Sequence, residues 1–245
     1  MKVTVLGAGP SGLFASLAVL NAGYSLTVCE RNPRKPDASN AGVYFLHDDC
    51  DLPLRHRDVD IIPLGGNWQD YGAKVYMDRT QQVSFPSNRH TERAYDGMQA
   101  LAMAWDIVHP FVKQGEVSSS WLENNEVDYI VNTVPLNILY PERLWRSKAA
   151  SIYRGIAPED ESYMLYHANS NIRWYRASAL FGVFTMEYVR EMEGYQKVRK
   201  VINSPNSMPK PKPNILLTGR FGAWDKRKLS HHAYYDTLKW LGKIP

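Results

Sequence analysis

Residues 1–31 read MKVTVLGAGPSGLFASLAVLNAGYSLTVCER, and the fold follows from them. Val3, Val5 and Leu6 make a short apolar run that meets Gly7-Ala8-Gly9-Pro10-Ser11-Gly12. Leu13, Leu17 and Leu20 then recur at helical spacing. Gly23 breaks the helix, and a β-rich run over residues 25–29 ends at the acid Glu30. Strand, glycine turn, helix, strand and acid in this order form the βαβ unit that cradles a dinucleotide.

Each part of the turn has a physical task. Gly7 permits the tight turn off the strand, Gly9 lets a pyrophosphate approach the backbone, and Gly12 lets the helix pack close to the sheet. The helix N-terminus offers free N–H groups and the positive end of its dipole. Glu30 lies 18 residues beyond Gly12, near the spacing of a carboxylate that accepts from ribose hydroxyls.

At 245 residues the chain has room for one large domain or two closely joined ones. Its 44% hydrophobic and 22% charged residues are those of a globular protein. The net charge of +4 is either a solubility margin or an attraction for an anionic substrate or polyanion. Two cysteines, Cys29 and Cys50, make neither a metal knuckle nor a CxxC pair. The expected setting is a reducing cytoplasm, a host's if the chain is viral. The apolar N-terminal run is broken by the glycine turn, which argues against a leader peptide, and no long apolar stretch predicts a membrane span.

Beyond Glu30 the order of elements is as follows. Residues 31–40 read as a polar loop in which Arg31 either meets the adenosine half of a cofactor or is solvated. Residues 41–47 read as a strand ending at His47, followed by the acids Asp48, Asp49 and Asp51. These acids lack a second ligand set at metal spacing, so no metal is expected and the segment reads as a loop near the site. Residues 58–64 and 73–77 read as strands, the latter opening a hairpin through a turn at 78–82. Residues 91–113 read as the longest helix, broken by His109-Pro110.

Residues 116–122 read as a strand. Residues 126–133 read as a buried parallel strand that ends at Thr133-Val134-Pro135, where ligands bind in open α/β sheets. Residues 162–167 and 172–188 are strand-rich. Within them Arg173-Trp174-Tyr175-Arg176 suits either a planar anionic substrate or a half-exposed strand. Residues 187–201 read as a surface stretch and 204–213, with its four prolines, as a stiff linker. Residues 214–218 read as a buried strand, and Gly219-Arg220-Phe221-Gly222 precedes a helix capped by Ser230.

The N-terminal βαβ unit, the strand ending in Thr133-Val134-Pro135 and the closing Gly-Arg-Phe-Gly with its helix occur together in this order. The chain therefore resembles the FAD-binding flavoproteins related to amine oxidases and UDP-galactopyranose mutases. The resemblance implies an α/β fold: a Rossmann-like FAD-binding domain (1–40, 116–150 and 210–245) with an inserted smaller α+β substrate domain (41–115 and 151–209). It implies that Gly7, Gly9, Pro10, Ser11 and Gly12 hold the pyrophosphate and that Glu30 and Arg31 meet the adenosine half. Val117, Thr133, Gly219, Arg220, Phe221, Ser230 and His231 complete the cofactor set.

Two features depart from that family. Residues 31–35 lack its usual Arg-x-Gly-Gly-Arg segment, and the chain is shorter than most members. A single nucleotide unit plus the C-terminal element favours FAD over NAD. The expected activity is oxidation of a C–N bond, with His47, Tyr175 and Arg176 positioning substrate or moving protons. The substrate is a small amine. Alternatively, since compact flavoproteins of this appearance occur in bacterial viruses that hypermodify thymine, it is an amino-acid-modified base in DNA. A non-redox flavin mutase and an NAD-binding oxidoreductase are the alternatives.

Overall fold

A computed structural model describes residues 1–36, 45–78, 83, 85–118, 121–122, 128–202 and 210–245. In chain order the elements begin with β1 (Lys2–Leu6), α1 (Pro10–Asn21), β2 (Ser25–Glu30), β3 (Phe45–Leu46) and β4 (His56–Leu64). There follow α2 (Trp68–Tyr76), β5 (His90–Asp96), α3 (Gly97–Val108), β6 (Val112–Gln114), β7 (Tyr129–Asn132) and α4 (Leu136–Leu139). The chain closes with β8 (Ser147–Ile156), β9 (Tyr163–His167), β10 (Trp174–Leu180), β11 (Val183–Tyr188), β12 (Gln196–Val201), β13 (Ile215–Leu217) and α5 (His232–Trp240).

Two sheets carry these elements. The first is parallel, in the order β13-β7-β1-β2-β6. The second has eight strands in the order β12-β8-β11-β10-β9-β4-β5-β3, antiparallel except where β4 pairs with β9. This is the mixed α/β architecture expected from residues 1–31, with a Rossmann-like parallel sheet.

α1 has no polar face. Gly12 through Val19 are all buried, because the helix is wedged between the parallel sheet and helices α3 and α5. A helix apolar all round belongs in such a core. Its first turn lies so close to the end of β1 that a Cβ on Gly12 would overlap the Gly7 carbonyl oxygen. Gly12 therefore fixes how near the helix sits to the sheet.

Several elements differ from the sequence reading. Residues 73–77 lie mostly in α2, not in a strand. Asn67 caps that helix by accepting from the Asp70 N–H at 3.0 Å, and Tyr71 and Val75, one turn apart, are buried on one face. Five residues read alone hide that spacing. The partner strand of the expected hairpin has no helix-free neighbour to pair with, and residues 79–82 lie outside the described set. The helix expected over 91–113 begins only at Gly97, since residues 90–96 pair with β4 as an antiparallel strand. Asp96 ends that strand and caps α3, accepting from Met98 N at 2.8 Å and Gln99 N at 3.1 Å.

Residues 116–118 form no strand, and Trp121 and Leu122 lie in a helical turn. The 187–201 stretch is exposed or half-buried over residues 188–199, as expected, but its ends are not surface: Glu187 is wholly buried and β12 brings Lys200 and Val201 inside. Most of the proline-rich 204–213 segment, like residues 41–44, lies outside the described residues. No helix among the described residues is long and apolar enough to cross a membrane.

Asp96 also receives the Arg55 Nε at 2.5 Å. Replacing it by Ala is expected to lower stability by about 1–2 kcal/mol through loss of the cap, whereas Asn retains most of it. Urea unfolding followed by circular dichroism reads the difference; equal midpoints for Asp96→Ala and wild type would exclude the capping role.

Candidate functional site

The carboxyl end of the parallel sheet opens into a cavity of about 1350 Å3 that extends to the eight-stranded sheet. Its floor is the glycine turn. α1 begins at Pro10 with Gly9 as its N-cap, in an extended conformation, and no side chain occupies that cap. The position of a Cβ on Gly9 meets nothing within 4 Å, so the backbone there is open to the cavity. Gly7 faces the Thr133 hydroxyl, which donates to the Leu6 carbonyl at 2.7 Å and ties β7 to β1. Gly219 lies against Ser11, whose Oγ would stand 2.5 Å from any Cβ placed there. The floor is thus built from residues 7–12, 133 and 219 in direct contact.

Glu30 lines the same space. Its Oε2 accepts from the Ala8 N–H at 2.8 Å and its Oε1 from the Asn32 N–H at 2.9 Å. The acid at the tip of β2 is thereby locked to the glycine turn, with lone pairs left on both oxygens for ribose hydroxyls. Arg31 also lines the cavity but is mostly exposed, 3.7 Å from Glu116. Val117 is buried beside it.

The opposite wall is a charged cluster on the large sheet. Glu187 of β11, with no exposed surface, accepts from Tyr175 Oη, from Arg176 Nε at 2.5 Å and from Lys200 Nζ at 2.6 Å. Arg176 stands opposite Glu187 on β10 and β11, while on β12 Gln196 is level with Glu187 through Ile152 of β8 and Lys200, four residues on along the strand, shares its face. Burial disfavours the Glu187 carboxylate, but Arg176 and Lys200 override it and hold its pKa well below the usual range. Burial and the two guanidiniums of Arg176 and Arg220 hold Lys200 below the ordinary lysine range despite Glu187. The Tyr175 phenol, buried and spent on Glu187, is pushed well above the ordinary range. It braces the carboxylate and has no proton to offer a ligand at neutral pH.

Arg220 joins this wall. It lines the cavity together with Tyr76, Tyr175, Arg176 and Lys200, and burial lowers its pKa. The Gly219-Arg220 turn therefore gives its glycine to the floor and its arginine to the far wall. Lys226 lies over the Tyr76 ring at 4.7 Å, and burial pushes its pKa down to about 8.

A third side carries histidines. His47 follows β3, with its Nδ1 3.4 Å from Glu92 Oε2 and its ring 5.5 Å from that of His231. Burial lowers the His47 pKa, opposed by Glu92. His231 is buried, with no hydrogen-bond partner for Nδ1 among the described residues, and burial with His232 and His47 pushes its pKa down to about 4. Both rings are neutral at pH 7.

α5 is capped by His231, not Ser230, and no side chain makes the cap bond. The amides of His232, Ala233 and Tyr234 already donate to Leu229, Ser230 and His231 carbonyls in the preceding turns. That use of the first amides leaves the α5 terminus less to offer a ligand than the α1 terminus. The acids after His47 serve the fold: Asp48 accepts from Tyr235 Oη and Asp51 from Tyr234 Oη.

The cavity is lined by Gly7, Gly9, Pro10, Ser11, Gly12, Glu30, Arg31, Val117 and Thr133, and by Arg220, Phe221, Ser230, His231, His47, Tyr175 and Arg176. Gly219 stands behind Ser11. Sequence reasoning missed Glu187, Lys200, Tyr76, Glu92 and Lys226. The only signal was Glu187 and Lys200 as charges inside β-rich runs.

No family model matches the chain, and no curated protein matches it in sequence. Solved structures do match in fold. Reduced UDP-galactopyranose mutase aligns over 99% of this chain and 96% of its own, with a TM-score of 0.60 and 14% identity. A tryptophan 6-halogenase from Streptomyces toxytricini aligns over 97% and 72%, with a TM-score of 0.61 and 11% identity. A geranylgeranyl bacteriochlorophyll reductase-like protein from Thermoplasma acidophilum aligns over 99% and 77%, at 0.55 and 12%. At these identities the likeness is one of fold.

Two substitutions separate the turn's roles. Gly9→Ala is expected to fold normally, its φ of −69° suiting Ala, yet to weaken dinucleotide binding about tenfold by filling the approach. Gly12→Ala is expected to cost about 3 kcal/mol, the upper end of overpacking, because the helix must move off the sheet. Cofactor titration and urea unfolding of both variants check the division; normal stability in Gly12→Ala would refute it.

Glu187→Gln leaves Arg176 and Lys200 without their carboxylate and is expected to cost about 3–5 kcal/mol at pH 7. A depressed folded pKa stabilises above the unfolded value, and that contribution fades as pH falls from about 5 toward the folded value. Wild type should therefore lose stability on acidification more steeply than Glu187→Gln. Urea midpoints between pH 3 and 7 test the slope.

Proposed function

We propose that the protein is an FAD-dependent enzyme that oxidises a C–N bond. The observation that carries this reading is the continuity of one cavity from the glycine floor to the charged and aromatic wall. The residues fit the cofactor. The open backbone at Gly9 and the α1 N-terminus suit a pyrophosphate, and Glu30 is fixed where ribose hydroxyls can donate. The cavity then has space left between that floor and Arg176.

FAD, when bound, supplies hydride acceptance from a carbon bearing an amine. The protein's own part is orientation, proton transfer and exclusion of water. His47 is neutral and has Nδ1 directed at Glu92, which leaves Nε2 as an acceptor for a proton of the substrate amine. Arg176 is held rigid by Glu187 and gives the wall a fixed positive charge. His231, uncharged and buried, lines the cavity beside His47 without adding charge. Loss of a hydride and a proton from the amine gives an imine, which water hydrolyses. The cationic lining suits an amine that also carries negative charge, on a small molecule or on a modified base in DNA.

The test begins with the visible spectrum of the purified protein, or of protein incubated with FAD, before and after anaerobic reduction and re-exposure to air. Flavin bands that bleach and return are expected, and amines that bleach them anaerobically identify the substrate. His47→Ala should lower the rate of that bleaching about 100-fold with FAD content unchanged. A protein that takes up no FAD would overturn the reading.

A further inference from the structure

The charged wall holds more positive charge than the protein answers. Arg176 and Lys200 share Glu187, and both carboxylate oxygens are already occupied by them and by Tyr175. Arg220 is an additional guanidinium on this wall, half-buried as a residue. Its Nε is shielded from water and has no hydrogen-bond partner among the described residues. A buried donor without an acceptor costs free energy, and more so when it is charged.

The wall is also aromatic. Tyr71 and Tyr166 have ring centroids 5.8 Å apart, and both line the cavity together with Tyr76. Rings this close touch one another and together offer an aromatic surface, and a guanidinium fork presents paired N–H groups to a carboxylate or phosphate.

Resting on the flavoenzyme reading for its place in the cavity, we propose that Arg220, with Arg176 and Lys200, forms a pocket for an oxyanion of the substrate, a carboxylate or phosphate. The pocket gives Arg220 Nε the acceptor it lacks and offsets the excess of cations. It makes the substrate an anion, with the aromatic surface of the tyrosines beside the body that carries the oxyanion. Arg220 is then a substrate-specificity residue, separate from the floor that takes the cofactor's own phosphates.

The test is calorimetric titration of the FAD-loaded protein with inorganic phosphate and, separately, with benzoate, in a low-salt buffer. At least one should bind, and its affinity should fall about tenfold or more in Arg220→Gln while FAD content is unchanged. Arg220→Lys keeps the buried charge and folding, and should weaken binding by a smaller factor through loss of the fork. Preference for phosphate or benzoate identifies which oxyanion the pocket takes. If neither binds, or if binding is indifferent to both substitutions, the proposal fails. It also fails if Arg220→Gln loses FAD, which would put Arg220 on the cofactor's phosphates. Should the wild type take up no FAD, the same titrations on the cofactor-free protein still read the pocket. Phosphate held at the α1 terminus would then be unaffected by Arg220→Gln and count against it.

Discussion

The close approach of α1 to the end of β1 is the constraint on which the rest depends. Where Gly12 passes the Gly7 carbonyl there is no space for a single methyl group. The same economy recurs where Gly219 meets Ser11 and where Gly222 meets the backbone of Asn132, Thr133 and Thr218. Segments far apart in sequence reach one point because a glycine stands at each close approach. The Thr133 hydroxyl adds a directed bond to the Leu6 carbonyl, so the strand ends cannot slide past one another. A floor assembled in this way is rigid before any ligand arrives, and rigidity is what makes a row of backbone N–H groups useful to a phosphate.

The far wall is built on the opposite economy. It buries charge where the floor buries nothing, and a lone ion pair so placed is rarely a net gain. Here one carboxylate takes three donors from β10 and β12, so each ion is also a hydrogen-bond partner. The arrangement fixes the tilt of Arg176 and Lys200 within the cavity. It also ties together strands that are separated by β8 and β11 in the sheet. A single acid thus sets both the field at the wall and the position of the sheet edge.

Legibility in the sequence divides along the same line. The floor was readable because a glycine turn, an apolar helix and an acid at fixed spacing are local: residues 7–12 and 30 carry their meaning in one stretch. The end of β7 at Thr133 and the Gly219 turn were also readable, since each closes an apolar strand. The wall was not. Glu187 and Lys200 look like ordinary surface charges in alternating strands, and only the register of β10, β11, β8 and β12 turns them inward together. Residues 73–77 failed for a related reason, because Asn67 starts the helix six residues upstream of the stretch that was read. The 90–96 strand has helix-compatible residues, and its pairing with β4 lies some thirty residues back in the chain.

The two phenol–carboxylate bonds near the histidines have a consequence for traffic. Asp48 directly follows His47, and Tyr234 and Tyr235 lie within four residues of His231. The segments bearing the two histidines are therefore stitched together beside the cavity at two adjacent points. Prising them apart means rupturing both stitches at once. The histidine side is therefore the sealed side of the cavity.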